Sequence, residues 1–202
     1  GLRDCSTQRR RQKLIEECPP PSLPAEVAAH LESLALKLAQ RVRLRSAATL
    51  EALYEPKRGA LRFLEVNPRL QVEHPVTEEV YGIDLIQAQL MIARGQGLPQ
   101  PLPPRGAAVE ARVYAEDPAR QFAPAPGRLR RFRLPSGPGV RVDTGFEEGD
   151  TLSPDFDPLI CKVIAWAPTR ELALERLACA LDELQLLIEG GSANHRYLAA
   201  LL

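Results

Sequence analysis

Hydrophobic residues recur every three or four positions in two long stretches of the chain, from about Pro24 to Val42 and from about Thr169 to Leu187. In each stretch they share one helical face: Val27, Leu31, Leu34, Leu38 and Val42 in the first, and Ala173, Leu177, Leu181 and Leu184 in the second. This spacing is typical of amphipathic helices. We predict that both stripes pack into cores, that Ser22 caps the first helix, and that Gly190 and Gly191 follow the end of the second.

A further helical region is predicted after His74 and Pro75. Asp84 followed by Gln87 three residues later is a capping pattern, and Gly95 supplies a stop signal. We expect the apolar face of this region to dock on a sheet.

Two strand-like stretches, Thr49–Glu55 and Ala60–Val72, flank a turn signal at Pro56–Gly59. The turn has proline early and glycine late, which is typical of a β-turn. The pattern predicts a β-hairpin.

Gly97–Pro104 holds four prolines in eight residues and is the best candidate boundary in the chain. Before it, Gly1–Glu17 is charged and is expected to be irregular. Beyond it, Val109–Tyr114 alternates apolar and polar residues, and Leu159–Trp166 is rich in Ile and Val, so both are predicted strands. The prediction is an α+β protein with two domains, residues 1–104 and 105–202.

Composition excludes several classes of protein. Of the 202 residues, 26 are acidic and 26 are Lys or Arg, so no net charge attracts nucleic acid or an acidic membrane. The four cysteines form no C-x-x-C pair, which favours reduced thiols and no cysteine metal site. No stretch approaches the ~20 apolar residues of a membrane span, and no signal-like segment follows Gly1. We expect a cytoplasmic protein, or a mitochondrial matrix protein in a eukaryote.

Polar side chains occupy every second position near the end of the predicted hairpin: Glu65, Asn67, Arg69, Gln71 and Glu73. They share one face if the strand continues through this segment, because strand side chains alternate. A solvent-exposed strand face shows the same alternation. Pro68 and Pro75 favour a shaped segment instead, since proline donates no ladder hydrogen bond.

The hairpin register adds a second acidic residue to this row. With the turn centred near Arg58, Glu51 and Glu65 each lie seven residues from the centre and are predicted to face each other. Opposed carboxylates repel in a plain sheet but clamp a divalent cation. Oxygen ligands from Glu51, Glu65 and Asn67 suit Mg²⁺ or Mn²⁺ rather than zinc. The sequence therefore predicts a metal site at these three residues.

Arg69 continues the same face and offers a bidentate grip for a small oxyanion. Carboxylate, amide and guanidinium groups in this order suggest phosphoryl chemistry on an acid. Arg112, in the predicted strand Val109–Tyr114, is ambiguous from the residues alone, because an ion pair with Glu110 on the same sheet face explains it equally well.

Four segments resemble the biotin carboxylase family of ATP-grasp enzymes, and together they span essentially the whole chain. They are RDCSTQRRRQK (Arg3–Lys13), EVNPRLQVEHPVT (Glu65–Thr77), EARVYAEDP (Glu110–Pro118) and FDPLICKVIAW (Phe156–Trp166). The resemblance implies the C-terminal half of an ATP-grasp domain followed by the biotin carboxylase C-terminal domain. It also implies an enzyme that phosphorylates bicarbonate with Mg-ATP and carboxylates biotin.

The resemblance assigns roles to individual residues. Glu51, Glu65 and Asn67 are expected to hold Mg²⁺ or Mn²⁺ beside the phosphates, and Glu73 to deprotonate bicarbonate. Arg69, Gln71 and the Val72 backbone are expected to hold bicarbonate and then carboxyphosphate, and Arg112 to stabilise the biotin enolate.

Gln8, Arg11 and Leu53 match nucleotide-contacting positions of the family. Arg11 departs from its pattern, because His or Asn is usual there. Ser46 and Ala48 also replace common glycines.

No glycine-rich phosphate lid and no Met-Lys-Met carrier signature occur in the sequence. We therefore expect a fragment that is inactive alone and that works with a biotin carboxyl carrier, a carboxyltransferase and a second copy as a homodimer. The alternatives are another ATP-grasp ligase, such as a carbamoyl phosphate synthetase half, and a non-catalytic assembly module. The FDPLICK segment argues against the first, and the intact polar residues argue against the second.

Overall fold

The computed structural model describes residues 1–98, 100 and 102–202. Pro99 and Pro101, two of the prolines in the predicted boundary, lie outside the described residues. The fold is α+β, as predicted. The strands in chain order are β1 Asp4–Arg9, β2 Gln12–Cys18, β3 Thr49–Glu55, β4 Ala60–Asn67, β5 Ala107–Tyr114, β6 Glu116–Asp117, β7 Ala123–Pro124, β8 Arg128–Arg133, β9 Val140–Thr144, β10 Leu159–Ala167 and β11 Gln185–Glu189. The helices are α1 Ala25–Arg41, α2 His74–Tyr81, α3 Leu85–Ala93, α4 Arg170–Glu183 and α5 His195–Leu201.

The chain forms two compact units. The first comprises Gly1–Asp4 and Cys18–Arg105, and the second comprises Cys5–Glu17 and Gly106–Leu202. The hairpin near the start of the chain thus belongs with the later part of the sequence. Among the described helices, none is both long and apolar enough to cross a lipid bilayer.

The first unit contains a two-stranded sheet, β3–β4, and the helices α1, α2 and α3. Helix α1 forms where predicted but buries none of its residues, and Leu34 on its apolar stripe is 42% exposed. The predicted core role of this stripe is therefore wrong, because two strands offer too little apolar surface to cover a 17-residue helix. Pro24 occupies the N-cap with no side-chain hydrogen bond, so Ser22 is not the cap.

The helical region after His74 divides at Gly82, which adopts the left-handed conformation with φ 58°. Asp84 caps α3 as predicted, and its Oδ1 accepts a hydrogen bond from the Gln87 backbone N–H at 2.7 Å. Helix α3 buries only Ala88, while Ile86 and Leu90 are exposed. Helix α2, in the same predicted region, buries Val76 and Val80. The docking of this region on a sheet stays a prediction.

The second unit is built on a five-stranded sheet in the order β1-β2-β5-β10-β9. Antiparallel β5 and β10 lie at its centre, and α4 and α5 pack against this part of the sheet. All eight residues of β5 are buried. Both faces of this strand are therefore covered.

Two other boundaries differ from the predictions. Residues 1–17, expected to be irregular, contain β1 and most of β2, which hydrophobic periodicity does not reveal because β1 is wholly polar apart from Cys5. Helix α4 ends at Glu183 rather than Leu187, because Gln185–Glu189 pairs with β8 as strand β11. This long-range ladder outweighs local helix propensity.

Candidate functional site

Strands β3 and β4 bring two carboxylates together. Glu51 pairs with Glu65 as predicted, but the hairpin reaches this register through an irregularity. Near the turn Ala52 pairs with Phe63, and the next pair is Glu51 with Glu65, so Leu64 is the extra residue of a β-bulge. Without the bulge, Glu51 would face Leu64, and the acidic pair would not exist.

Amide groups link the two carboxylates. Asn67 Nδ2 donates to Glu65 Oε1 at 2.7 Å and lies 3.4 Å from Glu51 Oε1, while Gln71 Nε2 donates to Glu51 Oε1 at 2.7 Å. The N–H groups stabilise two like charges that would otherwise repel each other. Rotating the Asn67 amide would present its oxygen at the same place.

Arg3 supports this network and was missed by the sequence reasoning. Its guanidinium donates to Thr77 Oγ1 at 3.0 Å, to Thr49 Oγ1 at 3.1 Å and to Gln71 Oε1 at 3.2 Å. Holding the Gln71 oxygen turns the Gln71 Nε2 group toward Glu51. The available signal was the position of Arg3 at the start of the RDCSTQRRRQK segment.

The polar row is not a single strand, which corrects the prediction. Strand β4 ends at Asn67, before Pro68, whose missing N–H cannot continue the ladder. Arg69 follows in an exposed bend, where its Nη1 donates to the Leu70 carbonyl at 3.2 Å. Val72 lies in a turn, and Glu73 occupies the N-cap position of α2.

Glu73 is 2% exposed and Gln71 is 6% exposed, so the end of the row is buried whereas Glu65 is exposed. The next residue, His74, has its Nδ1 3.2 Å from Glu78 Oε2, and Glu78 Oε1 accepts from the Leu85 N–H at 2.8 Å. These contacts link α2, which begins directly after Glu73, to α3.

The donor set of this site contains two carboxylates and one amide. Across the part of the chain that the structure describes, no three His, Cys, Asp or Glu side chains converge as a metal site. Glu51, Glu65 and Asn67 fit a hard, oxygen-loving ion such as Mg²⁺, which takes one or two protein carboxylates and completes its shell with phosphate oxygens and water.

Arg112 lies on β5 in the second unit and is 8% exposed. Its Nη2 is 2.5 Å from Glu16 Oε1, so Glu16 on β2, which the sequence did not suggest, is an ion-pair partner of Arg112. Burial raises the pKa of the Tyr114 phenol, although the Arg112 charge and hydrogen bond oppose that shift.

A row of charges crosses this sheet. Arg112 pairs in register with Lys162 on β10, and Lys162 with Asp143 on β9, where Nζ and Oδ2 are 3.1 Å apart. Burial would raise the pKa of Asp143, but hydrogen bonds from Arg141 and the charge of Lys162 hold it below its ordinary value. Sequence reasoning missed Glu16, Lys162 and Asp143, because their neighbours lie on other strands.

The three predicted nucleotide contacts belong to different units. Gln8 lies at the end of β1 and Arg11 in the turn after it, both in the second unit, whereas Leu53 lies on β3 in the first. All three are exposed, Leu53 by 56%. No single unit contains all three of these residues.

The second unit also contains a cavity of about 290 Å³, lined mainly by apolar residues and prolines. Phe146, Leu152, Phe156 and Asp157 are among its walls, and none of the predicted site residues lines it. The cavity therefore has no part in the chemistry proposed for this chain.

Two family models divide the chain between them. Residues 110–202 match the biotin carboxylase C-terminal domain, and residues 1–101 match the ATP binding domain of the carbamoyl-phosphate synthase L chain. The chain belongs to the biotin carboxylase family. It contains part of the ATP-grasp domain followed by the biotin carboxylase C-terminal domain.

Individual relatives support this assignment across both regions. The chain is 45% identical to the biotin carboxylase of Halalkalibacterium halodurans, covering 95% of this chain and 42% of that protein. It is 46% identical to the mitochondrial methylcrotonoyl-CoA carboxylase subunit alpha of Oryza sativa, covering 91% of this chain and 26% of the relative.

A solved biotin carboxylase domain has the same fold. The Hydrogenobacter thermophilus 2-oxoglutarate carboxylase domain, a dimer in complex with MgADP, ADP and bicarbonate, matches with a TM-score of 0.93 and 38% identity. The match covers 98% of this chain and 44% of that one. The chain thus spans less than half of each of these three proteins.

Proposed function

We propose that this chain forms part of a biotin carboxylase that uses Mg-ATP and bicarbonate to carboxylate carrier-bound biotin. The observation that carries the proposal is the Glu51–Glu65 pair with its Asn67 and Gln71 amides. It occurs in a family whose solved relative from Hydrogenobacter thermophilus holds MgADP and bicarbonate.

Glu51, Glu65 and Asn67 are the proposed ligands of Mg²⁺ or Mn²⁺. Once bound, the ion neutralises charge on the phosphates of ATP. Gln8, Arg11 and Leu53 are the proposed nucleotide contacts. Arg11, which replaces the usual His or Asn, brings a permanent cation suited to phosphate.

Glu73 is the proposed general base for bicarbonate. Accepting the bicarbonate proton makes an oxygen nucleophilic toward the γ-phosphorus of ATP, so that carboxyphosphate forms and ADP leaves. Its burial supports this role, because a base shielded from water acts on the bound acid. Arg69, Gln71 and the Val72 N–H are proposed to hold bicarbonate and then carboxyphosphate.

Arg112 is the proposed stabiliser of the biotin enolate, whose developing negative charge needs a pre-placed cation. The ion pair with Glu16 holds the guanidinium in a defined orientation. Lys162, its neighbour in register, adds positive charge on the adjacent strand.

Other parts of the enzyme complete the proposal. Biotin would arrive on a carboxyl carrier, a carboxyltransferase would use the product, and the enzyme would be a homodimer located in the cytoplasm or the mitochondrial matrix. We propose domains at residues 1–104 and 105–202, which the contact division at Arg105 and Gly106 supports apart from Cys5–Glu17. The isolated chain is expected to be inactive, because the phosphates would be covered on one side only.

The substitution Glu73→Gln in the full-length protein tests the catalytic assignment. It should lower bicarbonate-dependent ATP hydrolysis by about 100-fold or more while Mg-ATP binding is retained, because the amide cannot accept the proton. Steady-state hydrolysis and nucleotide titration measure the two effects. Glu79→Gln, which changes a neighbouring glutamate of α2 that has no proposed role, is the matched control. Near-normal hydrolysis by Glu73→Gln would contradict the base assignment.

The metal assignment has a separate test. Mn²⁺ titration with nucleotide bound, followed by electron paramagnetic resonance, should show weaker metal affinity in Glu51→Gln/Glu65→Gln by about 10-fold or more. Glu55→Gln, at the turn end of β3, serves as control. Unchanged Mn²⁺ affinity in the double variant would reject Glu51 and Glu65 as metal ligands. Absence of ATP hydrolysis by the unsubstituted full-length protein would favour the alternative of a non-catalytic assembly module.

A further inference from the structure

The Arg10–Arg11 turn connects β1 and β2 and lies beside Gln8. Both arginines have positive φ, 48° and 69°, in a two-residue hairpin turn that favours Asn and Gly. Side chains larger than glycine are strained in this region and keep it only when surrounding contacts hold them there. Contacts with other segments must therefore hold this turn in place.

A second strained segment touches both sides of the turn. We call Glu116–Phe122 the bracing loop. Gln121 and Phe122 have φ of 56° and 61°, so these two segments contain four of the five non-glycine residues with positive φ among the described residues. The Phe122 N–H donates to the Asp117 carbonyl at 2.8 Å, which closes the loop on itself.

Arg9, before the turn, makes two contacts with the bracing loop. Its Nη2 donates to the Gln121 carbonyl at 2.6 Å, and its guanidinium carbon lies 4.0 Å from the centre of the Phe122 ring. This geometry is a cation–π interaction combined with a hydrogen bond. Phe122 in turn meets Tyr197 edge to face, with ring centres 4.8 Å apart.

Gln12, after the turn, makes the second attachment. Its Nε2 donates to Glu116 Oε1 at 3.0 Å, and Glu116 is only 6% exposed. Residues that flank a two-residue hairpin turn lie opposite each other and share a face. Arg9 and Gln12 thus attach one face of the hairpin, and Gln8, next to Arg9, points from the opposite face.

The bracing loop is itself fixed to the core. Tyr197 lies on α5, one residue before Leu198, which is fully buried. Asn194, at the start of α5, accepts a hydrogen bond from the Tyr114 N–H at 2.8 Å in the interior. The hairpin face is thereby connected to a rigid part of the second unit.

We propose that the bracing loop, through Arg9, Phe122 and Gln12, positions the Arg10–Arg11 turn so that Gln8 and Arg11 are presented for nucleotide binding. This inference rests on the proposed function, which makes Gln8 and Arg11 nucleotide contacts. Arg9, Gln12 and Phe122 are positioning residues and touch no substrate themselves. Their effect is on ATP affinity rather than on bicarbonate or on the chemical step.

The test uses Phe122→Leu in the full-length protein, which removes the aromatic face but keeps an apolar side chain. The KM for ATP should rise by about 2- to 5-fold, as expected for loss of one cation–π contact. The kcat and the KM for bicarbonate should stay within about 2-fold, because the Glu73 region belongs to the other unit. Phe122→Tyr, which keeps an aromatic ring beside Arg9, should have the same KM for ATP as the unsubstituted protein.

Arg120→Ala is the matched control, because Arg120 belongs to the bracing loop and pairs with Asp117 at the surface. Hydrogen exchange of residues 8–13 should accelerate in Phe122→Leu but not in Arg120→Ala. An unchanged KM for ATP in Phe122→Leu, or equal rises in both KM values, overturns the inference while leaving the proposed function standing. A full-length protein that binds no ATP overturns both.

Discussion

Strand β5 of the second unit buries all eight of its residues, whereas helix α1 of the first unit buries none of its 17. Leu177 and Leu181 on α4 are at most 1% exposed, while Phe63 on β4 is 64% exposed and Leu36 on α1 is 65% exposed. The second unit is stabilised by a continuous apolar core, since it has a five-stranded sheet with helices packed on it.

The first unit is organised differently. Its sheet has two strands, and the contacts that define the Glu51–Glu65 region are polar ones from Arg3, Asn67 and Gln71. A two-stranded hairpin is at best marginally stable by itself. The proposed metal and bicarbonate residues therefore lie in the unit with the smaller apolar core, and the larger core lies in the other unit.

The largest expected difference between the units concerns apolar truncation. Leu177→Ala should reduce the free energy of unfolding of the second unit by about 3 kcal/mol, because it opens a cavity in a closed core. Leu34→Ala, on the exposed stripe of α1, should cost less than about 1 kcal/mol. Urea unfolding followed by Trp166 fluorescence reports the second unit, and hydrogen exchange reports the first. Equal losses of unfolding free energy in the two variants would contradict the difference in packing between the units.

Removal of a charge should also destabilise the second unit more than the first. The difference in unfolding free energy should be similar to that for apolar truncation, and no larger. Glu16→Gln removes an anionic partner of buried Arg112 and should cost about 3 kcal/mol, at the lower end for a broken buried pair. Glu65→Gln should change stability by less than about 0.5 kcal/mol, because Glu65 is exposed and faces a like charge. Urea unfolding and hydrogen exchange measure these two effects. An unchanged free energy of unfolding in Glu16→Gln would contradict a structural role for the Arg112–Glu16 ion pair.

The smallest expected effect is a pH dependence of the second unit. The pKa of Asp143 is lower in the folded state than its ordinary value of 3.8, so the stabilisation is present above that value and is lost as pH falls through the folded pKa. Asp143→Asn should therefore weaken the loss of stability below about pH 4. The effect should be at most about 1 kcal/mol, because Arg141 and Asp143 are partly exposed. The free energy of unfolding is measured between pH 6 and pH 3 by Trp166 fluorescence in Asp143→Asn and in the unsubstituted protein. Identical slopes against pH in the two proteins would show that the Arg141–Asp143 ion pair contributes nothing.

The predictions from sequence succeeded where one local pattern decides the outcome. Counting residues from the turn paired Glu51 with Glu65, and the Asp84 cap followed from its spacing to Gln87. The hairpin count succeeded only because the bulge at Leu64 shifts the register by one residue. Propensity does not reveal such a bulge, since it depends on how the two strands twist together.

The α+β class, the long helices, the hairpin and the family can be read from the sequence alone, since periodicity, turn residues and motifs are local properties of the chain. Which apolar stripes are buried depends on tertiary packing, because burial requires a partner surface: Leu177 is buried in the second unit, whereas Leu34 is 42% exposed in the first. The tertiary structure also ends β4 at Asn67, places Arg3 against Gln71, and brings Glu16 to Arg112 as an ion-pair partner. Arg3 and Gln71 are 68 positions apart in the sequence, and Glu16 and Arg112 are 96 positions apart. Pairings over such distances follow from strand order and packing, which no local pattern contains.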